Sequence, residues 1–296
     1  MNNRTIFRGA GTALITPTNA DGVDYPRFGK LIDWQIEEGI DALIICGTTG
    51  ESATLSDREH REVIAFAAER AAGRVPIIAG AGSNETSYSV EMAKHAKAAG
   101  ADALLCVTPY YNKATQNGLI RSYFTIADAT DLPIIVYNVP SRTGVNIEPK
   151  TYAELAKHEN IVGIKEANGN LAKIVETMAL LEGRLDLYSG NDDQIIPLMA
   201  LGGVGVISVL SNVAPRATHE LCARFLAGDL AGALELQLKY HALIDALFIE
   251  VNPIPVKAAM SAMGFCEDFL RLPLTNLEDA HRDVLLAEMR RQGLLA

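Results

Sequence analysis

A (β/α)8 TIM barrel of the α/β class, followed by a C-terminal helical region, is the fold this sequence predicts. Three observations carry the prediction. Eight short apolar runs recur along the chain, stretches with helical periodicity fill nearly every gap, and the runs are continuously apolar rather than alternating. Strands buried on both faces read as unbroken apolar segments, which suits a parallel sheet covered all round by helices. The 296 residues suffice for one barrel of about 250 residues plus an extension.

In chain order the runs are 11–15, 42–46, 76–79, 103–107, 133–137, 161–165, 185–189 and 204–209. Between them lie Ala-, Glu- and Lys-rich stretches with helical spacing, at 27–38, 57–72, 86–99, 118–130 and 171–182. An open doubly wound sheet is the competing architecture. It would usually carry a glycine-rich phosphate fingerprint after its first strand, where Thr16-Pro17-Thr18 stands instead. From about Glu220 the strand runs stop. Helical pattern continues through 233–250, 255–263 and 277–292, interrupted by Asn252-Pro253-Ile254-Pro255. The expected division is residues 1–225 for the barrel and 226–296 for helices that pack on it or on a partner subunit, since no Pro/Gly/Ser linker separates the two.

The net charge of −10 repels phosphate backbones and anionic bilayers, so neither nucleic acid nor a membrane is an expected partner. A small anionic substrate would need a local cation, which predicts a buried Arg or Lys. Cys46, Cys106, Cys222 and Cys266 form no C-x-x-C pair, which points to reduced, buried thiols. Residues 1–8 carry no leader-like apolar stretch, and no segment reaches about 18 uninterrupted apolar residues, so a soluble cytoplasmic protein is expected.

In a barrel the reacting groups lie where strands end and βα loops begin. After the second run comes Gly47-Thr48-Thr49-Gly50-Glu51, whose amides and hydroxyls could cradle a carboxylate, although such a loop taken alone is more often a turn with a helix cap. The sixth run ends Gly163-Ile164-Lys165-Glu166. If Lys165 points into the barrel above Gly163, its ammonium loses water, its pKa falls toward neutrality, and a nucleophilic amine results. Otherwise it snorkels outward or pairs with Glu166. The fifth run ends Tyr137-Asn138-Val139-Pro140-Ser141-Arg142-Thr143-Gly144, supplying a phenol for proton transfer and a guanidinium suited to a carboxylate, or a core tyrosine with a surface arginine. The fourth run ends Thr108-Pro109-Tyr110-Tyr111-Asn112, two aromatics that serve packing, an interface or catalysis. Gly190 and Ile207 are placed to shape the pocket floor and wall. A metal route would want histidines at strand ends, but His60, His95, His158, His219, His241 and His281 are all expected in helices, so neither metal nor cofactor is expected. Lys257 is the other candidate amine, with a solvated helical face as its expected setting.

With these residues assembled, the sequence resembles the dihydrodipicolinate synthase family of pyruvate-dependent class I aldolases over essentially its whole length. GTTGESATL from Gly47, VTPYYN from Val107, YNVPSRTG from Tyr137, GIKEA from Gly163, YSGND from Tyr188 and NPIPVKAA from Asn252 carry the resemblance. It implies an enzyme in which Lys165 forms a Schiff base with pyruvate, and the derived enamine attacks aspartate semialdehyde. Tyr137, Thr48 and Tyr111 resemble the family's proton relay, the tyrosine matching Tyr111 being supplied by a neighbouring subunit of a homotetramer built from two tight dimers. Thr49, Arg142, Gly190 and Ile207 look like substrate-binding positions. Relatives acting on sugar acids, such as N-acetylneuraminate lyases, tend to differ where Arg142 stands; they are the alternative activity. A non-catalytic barrel is disfavoured, because every role in the relay has a candidate.

Many members are inhibited by lysine at a dimer interface whose positions correspond to Ser52, Ala53, Asp57, His60, Asn84, Tyr88 and Tyr110. A histidine commonly stands at Asp57, and a glutamate that grips the effector's ammonium at Tyr88. The departures imply weak or absent lysine feedback.

Overall fold

The computed structural model describes residues 5–295; residues 1–4, part of the N-terminal stretch read above as carrying no leader, lie outside the described residues. Eight strands, β1 (Gly9–Ala13), β2 (Ala42–Ile45), β3 (Ile77–Gly80), β4 (Ala103–Val107), β5 (Ile134–Asn138), β6 (Ile161–Glu166), β7 (Asp186–Ser189) and β8 (Gly205–Ser208), close into a barrel. All pairings are parallel, and β8 returns to β1 with Gly9 opposite Gly205.

Helices α1 (Tyr25–Glu37), α2 (Asp57–Ala71), α3 (Thr86–Ala98), α4 (Gln116–Asp128), α5 (Pro140–Thr143), α6 (Pro149–Leu155), α7 (Leu171–Leu181), α8 (Ile195–Ala200) and α9 (Pro215–Leu226) connect the strands and follow the last. Starts are chemically marked. Ser56 and Glu59 form a reciprocal capping box on α2, and Asp24, Thr115 and Asn170 cap α1, α4 and α7. Beyond the barrel come α10 (Leu230–Leu247), α11 (Ile254–Ala262) and α12 (Asp279–Arg291), which pack on one another and on α9.

Two large apolar clusters and a small one of Ile174, Leu187 and Leu198 hold the layers together. One fills the space between barrel and helices, with Leu31, Ile64, Leu104, Ile164 and Leu243 fully buried. The other fills the barrel interior, from Phe7 and Tyr188 to Ile44, Ile135, Tyr137 and Ile207. Each such aliphatic side chain contributes about 1.5–3 kcal/mol of burial free energy.

Boundaries depart from the sequence expectation where side-chain chemistry intervenes. β1 starts at Gly9 rather than residue 11 because the first and last strands touch there: a Cβ on Gly205 would lie 1.9 Å from the Gly9 carbonyl oxygen. β8 stops at Ser208, since the amides of Val209 and Leu210 are taken by the Asp192 carboxylate at 2.9 Å each. A two-residue hairpin, Thr18–Asn19 with Gly22–Val23, is too short to show as a period. The expectation that all six histidines lie in helices fails at His158, which sits in the turn after α6; there its Nδ1 accepts the Asn160 amide as the chain bends back into β6. The four cysteines are free and buried, and burial pushes the Cys106 thiol up to about 12. Among the described residues no helix is long and apolar enough to cross a membrane.

Candidate active site

β5, β6 and β7 place three long side chains in one row, Tyr137 opposite Lys165 and Lys165 opposite Tyr188. Because a strand alternates faces, Lys165 shares the inner face with Gly163. A Cβ on Gly163 would meet the Tyr188 ring at 3.4 Å and Ile135 at 3.5 Å, so a glycine below the lysine keeps the interior from being overfilled. Lys165 is only 6% exposed, and its Nζ lies 4.2 Å from the centre of the Tyr137 ring.

This placement answers the choice left open by the sequence: the lysine points inward. Burial pushes its ammonium from the usual range down to about 7; the Asp192 carboxylate pulls the other way and the Arg142 charge pushes further down. Near neutral pH a substantial fraction is therefore free amine. Tyr137 is pushed up to about 12 by burial, although Arg142 and a hydrogen bond with Thr48 act against the rise, so it remains a phenol.

The loop after β2 is a tight turn closed by its own backbone, with Gly50 N–H on Gly47 O and Glu51 N–H on Thr48 O, both at 3.1 Å. It is also fixed from the C-terminal side. Asn252 Nδ2 donates to Thr49 Oγ1 at 3.0 Å, and Arg142 Nη2 donates to the Asn252 carbonyl at 3.0 Å, leaving an exposed guanidinium tied at the mouth. Gly190 follows β7, where a Cβ would lie 2.8 Å from Ala167, and Ile207 lines the interior from β8. A cleft of about 500 Å³ opens over this end, bounded by Thr48, Arg142, Asn252, Tyr110 and Val139 among others.

Tyr111 is not brought into that buried group by this chain. It carries positive φ (73°) and is 89% exposed. Of the seven effector candidates, Ser52, Ala53, His60, Tyr88 and Tyr110 line the same cleft. Asp57 lies on α2, where its carboxylate takes Arg61 Nε at 3.0 Å and the Tyr88 hydroxyl. The Asn84 carbonyl accepts from Asn112 at 2.9 Å.

Sequence reasoning gave no role to Glu51, Asp192 or Asn252, and it misplaced Lys257. The solvated setting expected for Lys257 is wrong: it is wholly buried, paired with Glu51 and donating to Thr18 Oγ1 at 2.7 Å. The signal was available. Every residue from Ile254 to Met260 is buried, and a helix apolar on all faces has no solvated side on which to seat a lysine. Asp192 hides in the Tyr188–Asp192 string. Nothing in that pattern says that its carboxylate caps the end of the last strand and acts on the charge of Lys165.

Known proteins agree with this architecture. A sequence model of the Dihydrodipicolinate synthetase family matches residues 6–292. The 4-hydroxy-tetrahydrodipicolinate synthase of Lachnoclostridium phytofermentans is 56% identical over 292 residues, covering 98% of this chain and 99% of that protein. The crystal structure of dihydrodipicolinate synthase from Thermotoga maritima superposes with a TM-score of 0.96 at 45% identity, covering 98% of this chain and 100% of that one. The chloride-inhibited enzyme from Acinetobacter baumannii, solved with pyruvate, gives the same TM-score, identity and coverage. A lysine stripped of water at a barrel strand end, the Tyr137 ring beside it, and a sequence match over nearly the whole length place the chain in the Dihydrodipicolinate synthetase family.

Proposed function

We propose that the enzyme condenses pyruvate with aspartate 4-semialdehyde to give 4-hydroxy-tetrahydrodipicolinate, a step of lysine and diaminopimelate biosynthesis. The observation that carries this reading is the buried, inward Lys165 with its depressed pKa. Its free amine adds to the ketone carbon of pyruvate and water leaves, forming an imine. Loss of a methyl proton gives the enamine, whose carbon attacks the aldehyde while the new alkoxide takes a proton. The amino group of the second substrate then closes on the imine carbon and displaces Lys165.

Tyr137 and Thr48 move these protons in this reading, with Tyr111 completing the relay from a neighbouring subunit. The exposure of Tyr111 supports its use by another copy. Thr49, Gly190 and Ile207 shape the pyruvate pocket, and Arg142 holds the carboxylate of the aldehyde substrate. No cofactor enters the scheme. We read the assembly as a tetramer of two tight dimers; Leu230, Leu234 and Leu238, exposed on one stripe of α10, offer further apolar surface for it. Four unpaired thiols fit a reducing cytoplasm. Residues 1–225 supply the reacting groups and residues 226–296 buttress them.

Borohydride reduction in the presence of pyruvate tests the reading. The expected adduct sits on the peptide containing Lys165; label on Lys257, or none at all, would refute it.

Lysine feedback is expected to be weak or absent. At the effector positions Tyr88 offers a phenol, and Asp57, the nearby carboxylate, already serves Arg61 and Tyr88. Lacking a free carboxylate for a buried ammonium costs such a ligand about 2–5 kcal/mol. Initial rates with added lysine check this, and inhibition at micromolar lysine is the contrary result.

A further inference from the structure

One buried ion pair that the proposed reaction leaves unused lies at the join between the loop after β2 and the start of α11. Lys257 Nζ, wholly buried, pairs with the Glu51 carboxylate and donates to Thr18 Oγ1 at 2.7 Å. Glu51 is held in left-handed backbone, with φ at 56°, a conformation disfavoured for any residue that has a Cβ. Its second carboxylate oxygen, Oε2, is buried with no hydrogen-bond partner among the described residues. Stripping two charges of water is a poor way to gain stability, because well-packed apolar residues of similar size often do as well. What an ion pair supplies and an apolar contact does not is a fixed direction.

That direction leads to the chemistry. The Glu51 amide donates to the Thr48 carbonyl at 3.1 Å, and the Thr48 hydroxyl is hydrogen-bonded to Tyr137. The same C-terminal segment grips the loop again one residue beyond Thr48, through Asn252 on Thr49 Oγ1 at 3.0 Å. Residues 252–257 therefore hold two of the four residues that follow Gly47, on either side of Gly50.

We propose that Lys257 is a positioning residue for the reaction: by pinning Glu51 across the barrel end, it fixes the loop after β2 so that the Thr48 hydroxyl meets the Tyr137 phenol. The inference rests on the proton relay proposed above. It gives the C-terminal helical region a part in turnover rather than only in assembly.

The test is a cycle of variants in the full-length protein, combining the neutral pair Glu51→Gln/Lys257→Met with Thr48→Val. The pair removes both charges, so no lone ion is left buried. Loss of loop position is expected to lower kcat about 10- to 100-fold. Pyruvate should still be trapped on Lys165 by borohydride to the same extent as in the unchanged protein. In the Thr48→Val background the pair should cost less than about threefold more, because the hydroxyl it positions is already gone. A neutral pair that turns over within about twofold of the unchanged protein overturns the proposal, as do losses that multiply in the combined variant. A merely structural role would produce that multiplication. Should the pair fail to fold by thermal melt, Lys257→Arg, which keeps the charge but moves its contact point, takes its place in the same cycle. Thr48→Val with undiminished kcat would instead sink the relay itself, a result that cannot be confused with failure of the positioning role.

Discussion

Lys165→Met is expected to abolish turnover, by about 10⁴-fold or more in kcat, and at the same time to leave a folded protein that is more stable than the parent. The first effect follows from chemistry, since Lys257, the other buried lysine among the described residues, is held by Glu51. The second follows from linkage. The folded-state pKa of Lys165 is lowered from 10.5 to about 7, first by burial. Between those values the unfolded chain binds a proton that the folded chain has released, so the parent gains stability as pH rises through that window. Below about pH 7 both states are protonated and the full cost of a buried ammonium is felt, on the order of 3–5 kcal/mol for a shift of this size. Denaturant melts at pH 6, 8 and 10 should show Lys165→Met most stabilised at pH 6 and the difference shrinking toward pH 10. Stability unchanged by the substitution at all three would mean that the lysine is solvated. Retained turnover would mean that the imine forms elsewhere.

Tyr137→Phe is the second large effect, an expected loss of about 10²–10³-fold in kcat with little change in stability. The ring stays, and with it the face on which Lys165 Nζ rests at 4.2 Å and the apolar contacts of the barrel interior. What disappears is a hydroxyl bonded to Thr48 whose pKa, raised to about 12, keeps its proton available for transfer. Borohydride trapping should persist while exchange of the pyruvate methyl hydrogens into heavy water slows in step with kcat. If exchange slows no more than about twofold, the phenol is not the group that moves the proton.

The barrel was legible because its physics is repetitive. Strands covered on both faces must be largely apolar, and Ala42–Ile45 or residues 134–137 could hardly read otherwise. Lys165 was legible for the converse reason, as a charge at the end of such a run with Gly163 two residues before it. The unread parts are contacts made at long range. Lys257 meets Glu51 across 206 positions of chain, and Asp192 takes amides from Val209 and Leu210 in the turn after another strand. Periodicity describes which face of an element is apolar. It is silent about which partner a buried charge will find, and equally about Tyr111, whose ring leaves its own chain's buried site.

The touching of Gly9 and Gly205 has a consequence for how the molecule comes into being. The strand that begins the ring is completed only by the strand that ends it, so no local hairpin or short excursion can seal the cylinder. During synthesis one flank of the first strand stays open until the strand beginning at Gly205 has emerged. At that meeting point even a methyl group would wedge the two ends apart, which makes the smallest side chain in the alphabet the clasp of the whole structure.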